Sequence, residues 1–300
     1  ILNHFPSIGM VITLGLFLAA FYLKSDDLNR TSLVLFVLLG LLAIPTYVTG
    51  IATKWAIQDN PGISLELITA HQDAALFSFI CLGVTGYLSW LALWQRRRFA
   101  VTPNWNLYAV LIFAILSTGF LTKTGSLGGN INHPEIRIGE EITAAESVLG
   151  PSATIEKTVQ NTAWLWPALE AAHFVGMALL FGVVLIITLR VLGMAKSVSF
   201  EALHRLLPLG ALGLLINIVT GMVFLITDSG RYTAIDAFFW KMALIAFGGV
   251  AILYFTVFDH PWSLKAGDNA SLVAKAMAAV TLLFWSGVLI LGRLLPYLEG

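Results

Sequence analysis

Residues 33–53 read LVLFVLLGLLAIPTYVTGIAT, a stretch without a charged side chain. The hydrocarbon core of a bilayer is about 30 Å thick and an α-helix rises about 1.5 Å per residue, so about 20 apolar residues are needed to cross it. The stretch meets that length. Strands of a transmembrane barrel are about half as long and alternate in polarity, so the segment predicts a membrane helix and excludes a barrel.

Further charge-free runs of similar length follow along the chain. They lie at residues 5–23, 74–94, 107–122, 171–189, 206–227, 242–258 and 276–292. Of the 300 residues 58% are hydrophobic and only 11% are charged, against about 25% charged in a soluble domain. The net charge is zero, which excludes a nucleic-acid binder, and the single cysteine, Cys81, excludes a disulfide framework. The sequence therefore predicts an all-α polytopic membrane protein with eight transmembrane helices.

Short motifs recur in the same order in the two halves of the chain. HF occurs at residues 4 and 173, VTG at 48 and 219, GV at 83 and 249, and a Ser/Thr-Gly pair at 118 and 286. The nearly constant offset predicts two tandem four-helix bundles. Because four crossings return the chain to its starting side, both halves have the same orientation, unlike the inverted repeats of many transporters.

The predicted halves are residues 1–123 and 161–300. The polar residues 124–160 between them are predicted as a loop on the outer face, defined as the side of residue 1, with a short helix at 140–149. The opposite face carries the basic cluster at 96–98. Lys and Arg stay on the cytoplasmic side, so we place the chain in a bacterial inner membrane with the long loop in the periplasm.

The histidines are the sharpest chemical feature, because ionisable side chains inside a membrane are costly and usually functional. His4, His71, His133 and His173 all lie at or just beyond the outer face. His4 and His71 begin separate spans at one depth, and neutral imidazoles on facing helices are the axial ligands that a haem requires. We therefore predict that His4 and His71 are the metal ligands of a haem b in the first bundle.

Further residues are predicted to complete this cofactor site. His133 would replace one axial ligand or bond a haem propionate, and Arg137 or Lys54 would pair with a propionate at the same face. His173 is the next candidate ligand.

On the opposite face, His204 and His260 are either interfacial residues or a second axial pair. The prediction is thus one haem b, with a second left open. A quinone could bind near the outer face beside three aromatic residues, Trp164, Trp166 and Trp240.

Several motifs carry a family resemblance. HFPSIG from His4, AHQDAALF around His71 and GSLGGNINHPEI around His133 resemble an uncharacterised family of bacterial four-helix membrane domains. That family often occurs beside c-type cytochromes, which implies a haem b electron-transfer role. The second half has WPALEAAHFVG at 166–176, LRVLG at 189–193 and LHRLLPLG at 203–210. It resembles a second uncharacterised bacterial membrane family, and it is loosely similar to copper-resistance and cytochrome b561-type domains. The stretch that aligns with His71 there, residues 237–241, lacks a histidine.

The predicted function is a membrane b-type cytochrome subunit. It would transfer electrons between the quinone pool and a periplasmic partner, such as a c-type cytochrome or another subunit of a redox complex. One alternative is a copper-handling membrane protein, because Met10 and Met177 follow His4 and His173. The other is a cofactor-free membrane anchor subunit. The chain has no CxxCH, Walker A or HExxH motif, so any enzymatic role would be as the electron-transfer subunit of an oxidoreductase.

Overall fold

A computed structural model describes residues 2–60, 64–132, 150–258 and 260–298, and their regular elements are all helices. The α-helices are α1 (His4–Leu23), α2 (Asp26–Ile57), α3 (Leu65–Phe99), α4 (Asn104–Asn132), α5 (Pro151–Asn161), α6 (Leu165–Leu192), α7 (Phe200–His204), α8 (Leu207–Thr227), α9 (Ser229–Thr233), α10 (Asp236–Val257) and α11 (Leu272–Leu294). Short 3₁₀ helices, His260–Ser263 and Leu295–Tyr297, precede and follow α11.

Eight helical stretches in the described residues are long and apolar enough to cross a membrane. They are His4–Leu23, Asp26–Ile57, Leu65–Phe99, Asn104–Ile131, Leu165–Leu192, Phe200–Thr227, Asp236–Val257 and Leu272–Tyr297. Each predicted apolar run coincides with one of them. Large apolar side chains such as Ile12, Ile112 and Leu283 are exposed along these stretches, as lipid-facing surfaces require. The prediction of an all-α polytopic membrane protein is confirmed.

Local sequence determines where several helices begin and end. α2 begins after Ser25, whose hydroxyl accepts a hydrogen bond from the N–H of Leu28 at 3.4 Å. Asp26 and Asp27 then place negative charge in the first turn, where the helix dipole favours it. α6 ends at Gly193, whose φ of 99° lies in the left-handed region that glycine adopts without strain.

The chain divides into two compact units. The first comprises Ile1–Gln95, Thr102–Thr158 and Ser229–Ala234, and the second comprises Arg96–Val101, Val159–Asp228 and Ile235–Gly300. The first unit therefore contains α9, although this short helix lies in the second half of the sequence.

The connection that we predicted as a loop at 124–160 is helical at both ends. α4 continues to Asn132, and α5 occupies Pro151–Asn161. The helix predicted at 140–149 lies outside the described residues. The polar connection therefore contributes regular structure to the first unit.

In the first unit, α1 packs against α2 and α4. α2 and α3 approach closely at Gly40 and Gly86. A Cβ atom added to either glycine would lie 3.2 Å from the Cα of the other. Small residues permit this contact between helix backbones, as is common in membrane helix pairs.

In the second unit, α6 packs against α8 and α11, and α10 packs against α11. α6 and α8 make a close backbone contact at Gly176 and Gly213. A Cβ atom on Gly213 would lie 2.6 Å from the carbonyl oxygen of Gly176 and 2.7 Å from the backbone nitrogen of Leu180. Only glycine, whose side chain is a single hydrogen atom, allows α6 and α8 to pack this closely at position 213.

Arg190, in the last turn of α6, is fully buried. Its Nε donates to the carbonyl of Val198 at 2.6 Å, its Nη2 to that of Lys265 at 2.8 Å and its Nη1 to that of Asp268 at 3.3 Å. The guanidinium carbon also lies 5.1 Å from the ring centroid of Phe200. One side chain thus joins the end of α6 to the two segments that precede α7 and α11.

Candidate functional site

His71 is held by α4 in a defined tautomer. Its Nδ1 lies 3.0 Å from the main-chain carbonyl oxygen of Thr124. A carbonyl only accepts hydrogen bonds, so Nδ1 carries the proton and Nε2 keeps its lone pair. The ring also rests on the backbone of α4, because a Cβ atom on Gly128 would lie 3.2 Å from the Cε1 of His71. The imidazole is therefore oriented by another helix and can act as a ligand through Nε2.

Asp73, two residues after His71, binds the beginning of α5. Its Oδ1 accepts hydrogen bonds from the hydroxyl of Ser152 at 2.5 Å and from the Ser152 N–H at 3.3 Å. A Cβ atom on Gly150 would lie 1.7 Å from Asp73 Oδ2, so only glycine fits there. A carboxylate at a helix N-terminus is favoured by the free N–H groups and the helix dipole. Asp73 thereby fixes the beginning of α5 to α3, two residues from His71.

We expect Asp73→Ala to loosen α5 locally, because it leaves the hydroxyl and the N–H of Ser152 without their acceptor. Loss of such partners costs about 1–3 kcal/mol. Hydrogen exchange of the amides in Pro151–Asn161 should accelerate accordingly, while exchange in α1 stays unchanged. Asp59→Ala, which removes an exposed carboxylate, is the matched control. Equal exchange in α5 of both variants would contradict this role of Asp73.

Lys54, a predicted propionate partner, lies at the same end of the first unit. Its Nζ donates to the Oε1 of Gln72 at 2.6 Å and lies 5.3 Å from the ring centroid of Trp55. Gln72 adjoins His71 in sequence. The structure therefore brings the ammonium of Lys54 to the part of α3 that carries the imidazole.

The remaining predicted residues of the first bundle are placed differently. His4 lies in the first turn of α1 with an exposed side chain, and within the described ranges its imidazole makes no hydrogen bond. No hydrogen bond joins His4 to His71 in that part of the chain. His133 and Arg137 lie outside the described residues. The pairing of His4 with His71 therefore stays a prediction.

On the opposite face, His204 ends α7 and its ring lies edge-on to Trp262, with 4.3 Å between centroids. His260 begins a 3₁₀ helix. The second axial pair also stays a prediction.

His173 in the second unit has its own fixed tautomer. Its Nδ1 lies 2.7 Å from the hydroxyl of Thr220, and that hydroxyl donates its proton to the carbonyl of Ile216 at 2.7 Å. The hydroxyl must therefore accept from Nδ1–H, which leaves Nε2 with a free lone pair. The ring also lies 5.5 Å from that of Phe224.

This bond joins two motifs that recur in the sequence, HF at 173 and VTG at 219. In the first unit the corresponding threonine, Thr49, also donates to carbonyls of its own helix, those of Pro45 and Thr46, but in the described residues no hydrogen bond joins it to His4. The two halves thus use the same motifs differently.

A cavity of about 370 Å³ opens beside His173. It lies between α6, α10 and α11, and its lining includes Met177, Phe181, Lys241 and Arg293. None of the described residues that line it is acidic. Lys241 fits because Gly292 faces it: a Cβ atom there would lie 3.3 Å from Nζ. The cavity thus combines apolar walls with positive charge and one imidazole.

Sequence reasoning singled out the histidines but missed Asp73, Ser152 and the cavity-lining role of Lys241. Asp73 could have been found, because it is an ionisable residue inside the same short motif as His71. Comparison of the chain with protein-family models, with curated proteins and with solved structures found no match.

Proposed function

We propose that the protein is a b-type cytochrome subunit of a bacterial inner membrane, which transfers electrons between a periplasmic redox partner and the quinone pool. The fixed tautomer of His71 is the observation that supports this most directly. An Nδ1–H bond to a main-chain carbonyl is the usual means by which proteins orient an imidazole that binds metal through Nε2.

The side chains fit a haem better than a free metal ion. In the residues that the structure describes, no group of three His, Cys, Asp or Glu side chains could hold a metal ion. A porphyrin supplies iron with its equatorial nitrogen ligands and needs only axial donors from the protein. When bound, the haem would supply reversible one-electron chemistry. His71 would hold the haem iron, together with His4 or His133.

Residues around His71 would prepare this site. The carbonyl of Thr124 fixes the ring, and Gly128 provides the flat surface on which the ring rests. Lys54 and Arg137 are the proposed partners of the propionates, since Lys54 already lies at this end of α3. Because these side chains are already oriented before a ligand binds, binding costs less conformational entropy.

The location of His71 on α3 supports the proposed route of electrons. His71 lies near the beginning of this helix, whereas Arg96, Arg97 and Arg98 lie in its last turn. If these basic residues face the cytoplasm, His71 lies near the periplasmic surface. A c-type cytochrome or another subunit docked there would be close to the haem.

The contacts give less support to copper handling. Met10 is fully buried while His4 is exposed, so this pair does not share an accessible surface. Met177 does line a cavity with His173, but Lys241 lines it too. The positive charge of that lysine opposes binding of a copper cation.

The test is an absorption spectrum of the purified chain, produced with a haem precursor. We expect a Soret band, a reduced-minus-oxidised difference and a pyridine-haemochrome product. His71→Gln keeps an amide donor for Thr124 but removes the ligand, so the ratio of haem to protein should fall at least twofold while the circular dichroism is unchanged. Thr69→Ala, at an exposed position of the same helix, is the control and should retain its haem.

Two results would contradict the proposal. A wild-type protein without Soret band or haemochrome is no cytochrome, and copper analysis would then separate a copper-handling protein from a cofactor-free anchor. An unchanged haem content in His71→Gln would remove His71 from the ligands.

A further inference from the structure

The cavity of the second unit carries positive charge from Lys241 and Arg293, which both line it. Among the described residues that line the cavity, none is acidic. In the described part of the chain, Lys241 makes no hydrogen bond or ion pair, and Arg293 only lies over the ring of Tyr297, 5.3 Å from its centroid. An ammonium beside apolar walls is costly unless an anion approaches it. The chemistry of the cavity therefore calls for an anionic ligand.

The imidazole adds a second requirement. His173 uses Nδ1–H on Thr220, so its Nε2 can only accept a hydrogen bond. A bare carboxylate or a quinone carbonyl also only accepts, and neither could satisfy Nε2. A ligand that carries a hydroxyl group as well as a negative charge would satisfy both Nε2 and the two cationic side chains.

The walls and the depth of the cavity add a third requirement. Phe174, Met177, Phe181 and Leu289 make most of the surface apolar. Lys241 lies in the second turn of α10, and Arg293 lies in the last turn of α11. The cavity is thus near the helix ends, at the level of lipid headgroups. Its volume of about 370 Å³ is at the small end of ligand sites, enough for a headgroup and the start of its chains.

We propose that this cavity is a binding site for an anionic phospholipid with a hydroxylated headgroup, the chemistry of phosphatidylglycerol. Lys241 and Arg293 donate to the phosphate oxygens, and a headgroup hydroxyl donates to the Nε2 of His173. The acyl chains lie along Phe174 and Phe181 toward the lipid. This site does not depend on haem, and its test is independent of the proposed cytochrome function.

The test uses the full chain in detergent, titrated with short-chain lipids and read by native mass spectrometry and thermal stability. Phosphatidylglycerol should bind more tightly than phosphatidylmethanol, which has the same charge but no hydroxyl, and much more tightly than phosphatidylcholine. Lys241→Met should weaken binding of both anionic lipids by about fivefold or more, the effect of one basic residue near a membrane surface. Lys157→Met, which removes an exposed lysine of α5, is the matched control.

His173→Phe separates the two parts of the proposal. It removes the acceptor but keeps an aromatic ring, so the preference for phosphatidylglycerol over phosphatidylmethanol should disappear while the charge preference remains. Equal binding of anionic lipids and phosphatidylcholine, or a Lys241→Met variant that binds like Lys157→Met, would overturn the site. Equally tight binding of soluble glycerol phosphate would assign the cavity to a free phosphate ester and overturn the lipid.

Discussion

Gly213→Ala is expected to destabilise the second unit by about 3 kcal/mol and to release His173 from Thr220. The added Cβ would meet the carbonyl of Gly176 at 2.6 Å. A backbone atom cannot rotate away as a flexible side chain can, so α8 must move away from α6. Thr220 lies about two turns further along the same helix, and its 2.7 Å bond to the imidazole would lengthen with that movement.

Thermal unfolding in detergent measures the loss, and phosphatidylglycerol binding measures its effect on the cavity. Gly182→Ala is the matched control, because it lies on α6 with nothing within 4 Å of its added Cβ. Since alanine favours a helix over glycine by about 1 kcal/mol, this control should melt at the same temperature or slightly higher. Equal melting temperatures for the two variants would show that α6 and α8 do not depend on this contact.

Arg190→Met is expected to cost about 3–6 kcal/mol of unfolding free energy. Hydrogen bonds to a charged group contribute about 1.5–3 kcal/mol each, and the two shorter bonds of Arg190, at 2.6 and 2.8 Å, are both lost. Methionine fills a similar volume but leaves the carbonyls of Val198 and Lys265 without a donor. We expect the variant to unfold at much lower denaturant concentration and the segment before α11 to exchange its amide hydrogens faster.

Arg190→Lys distinguishes hydrogen bonding from membrane orientation. Lysine keeps the positive charge that counts toward topology, but its ammonium lacks the planar set of donors that reaches three carbonyls at once. An intermediate loss of stability is therefore expected. If the lysine variant matched wild type, charge alone would explain Arg190, and the bonds to its three carbonyls would carry little of the stability.

The membrane architecture was predictable because crossing a bilayer imposes a criterion of length and polarity that one segment satisfies by itself. Residues 33–53 and the other apolar runs meet it without reference to their neighbours. The prediction that His71 and His173 lie at one depth rests on counting crossings and stays a prediction. The short helix α9 was not predicted, since its packing against α2 depends on a segment distant in sequence.

The partners of the candidate ligands were not predictable in the same way. Thr124 and Thr220 lie on other helices than the imidazoles that they orient, and no periodicity within one helix specifies that register. Arg190 shows the same limit. Nothing in the sequence around this charged residue indicates that the structure buries it completely among main-chain carbonyls.

The return of α9 to the first unit has a consequence for dissecting the protein. Gly230 lies directly against the indole of Trp55, because a Cβ atom there would be 2.9 Å from Cζ2 of that ring. A gene interrupted after residue 158 would encode an amino-terminal fragment that lacks this cover. We therefore expect the fragment to be less stable alone than together with the other translation product, and split-protein complementation measures that difference.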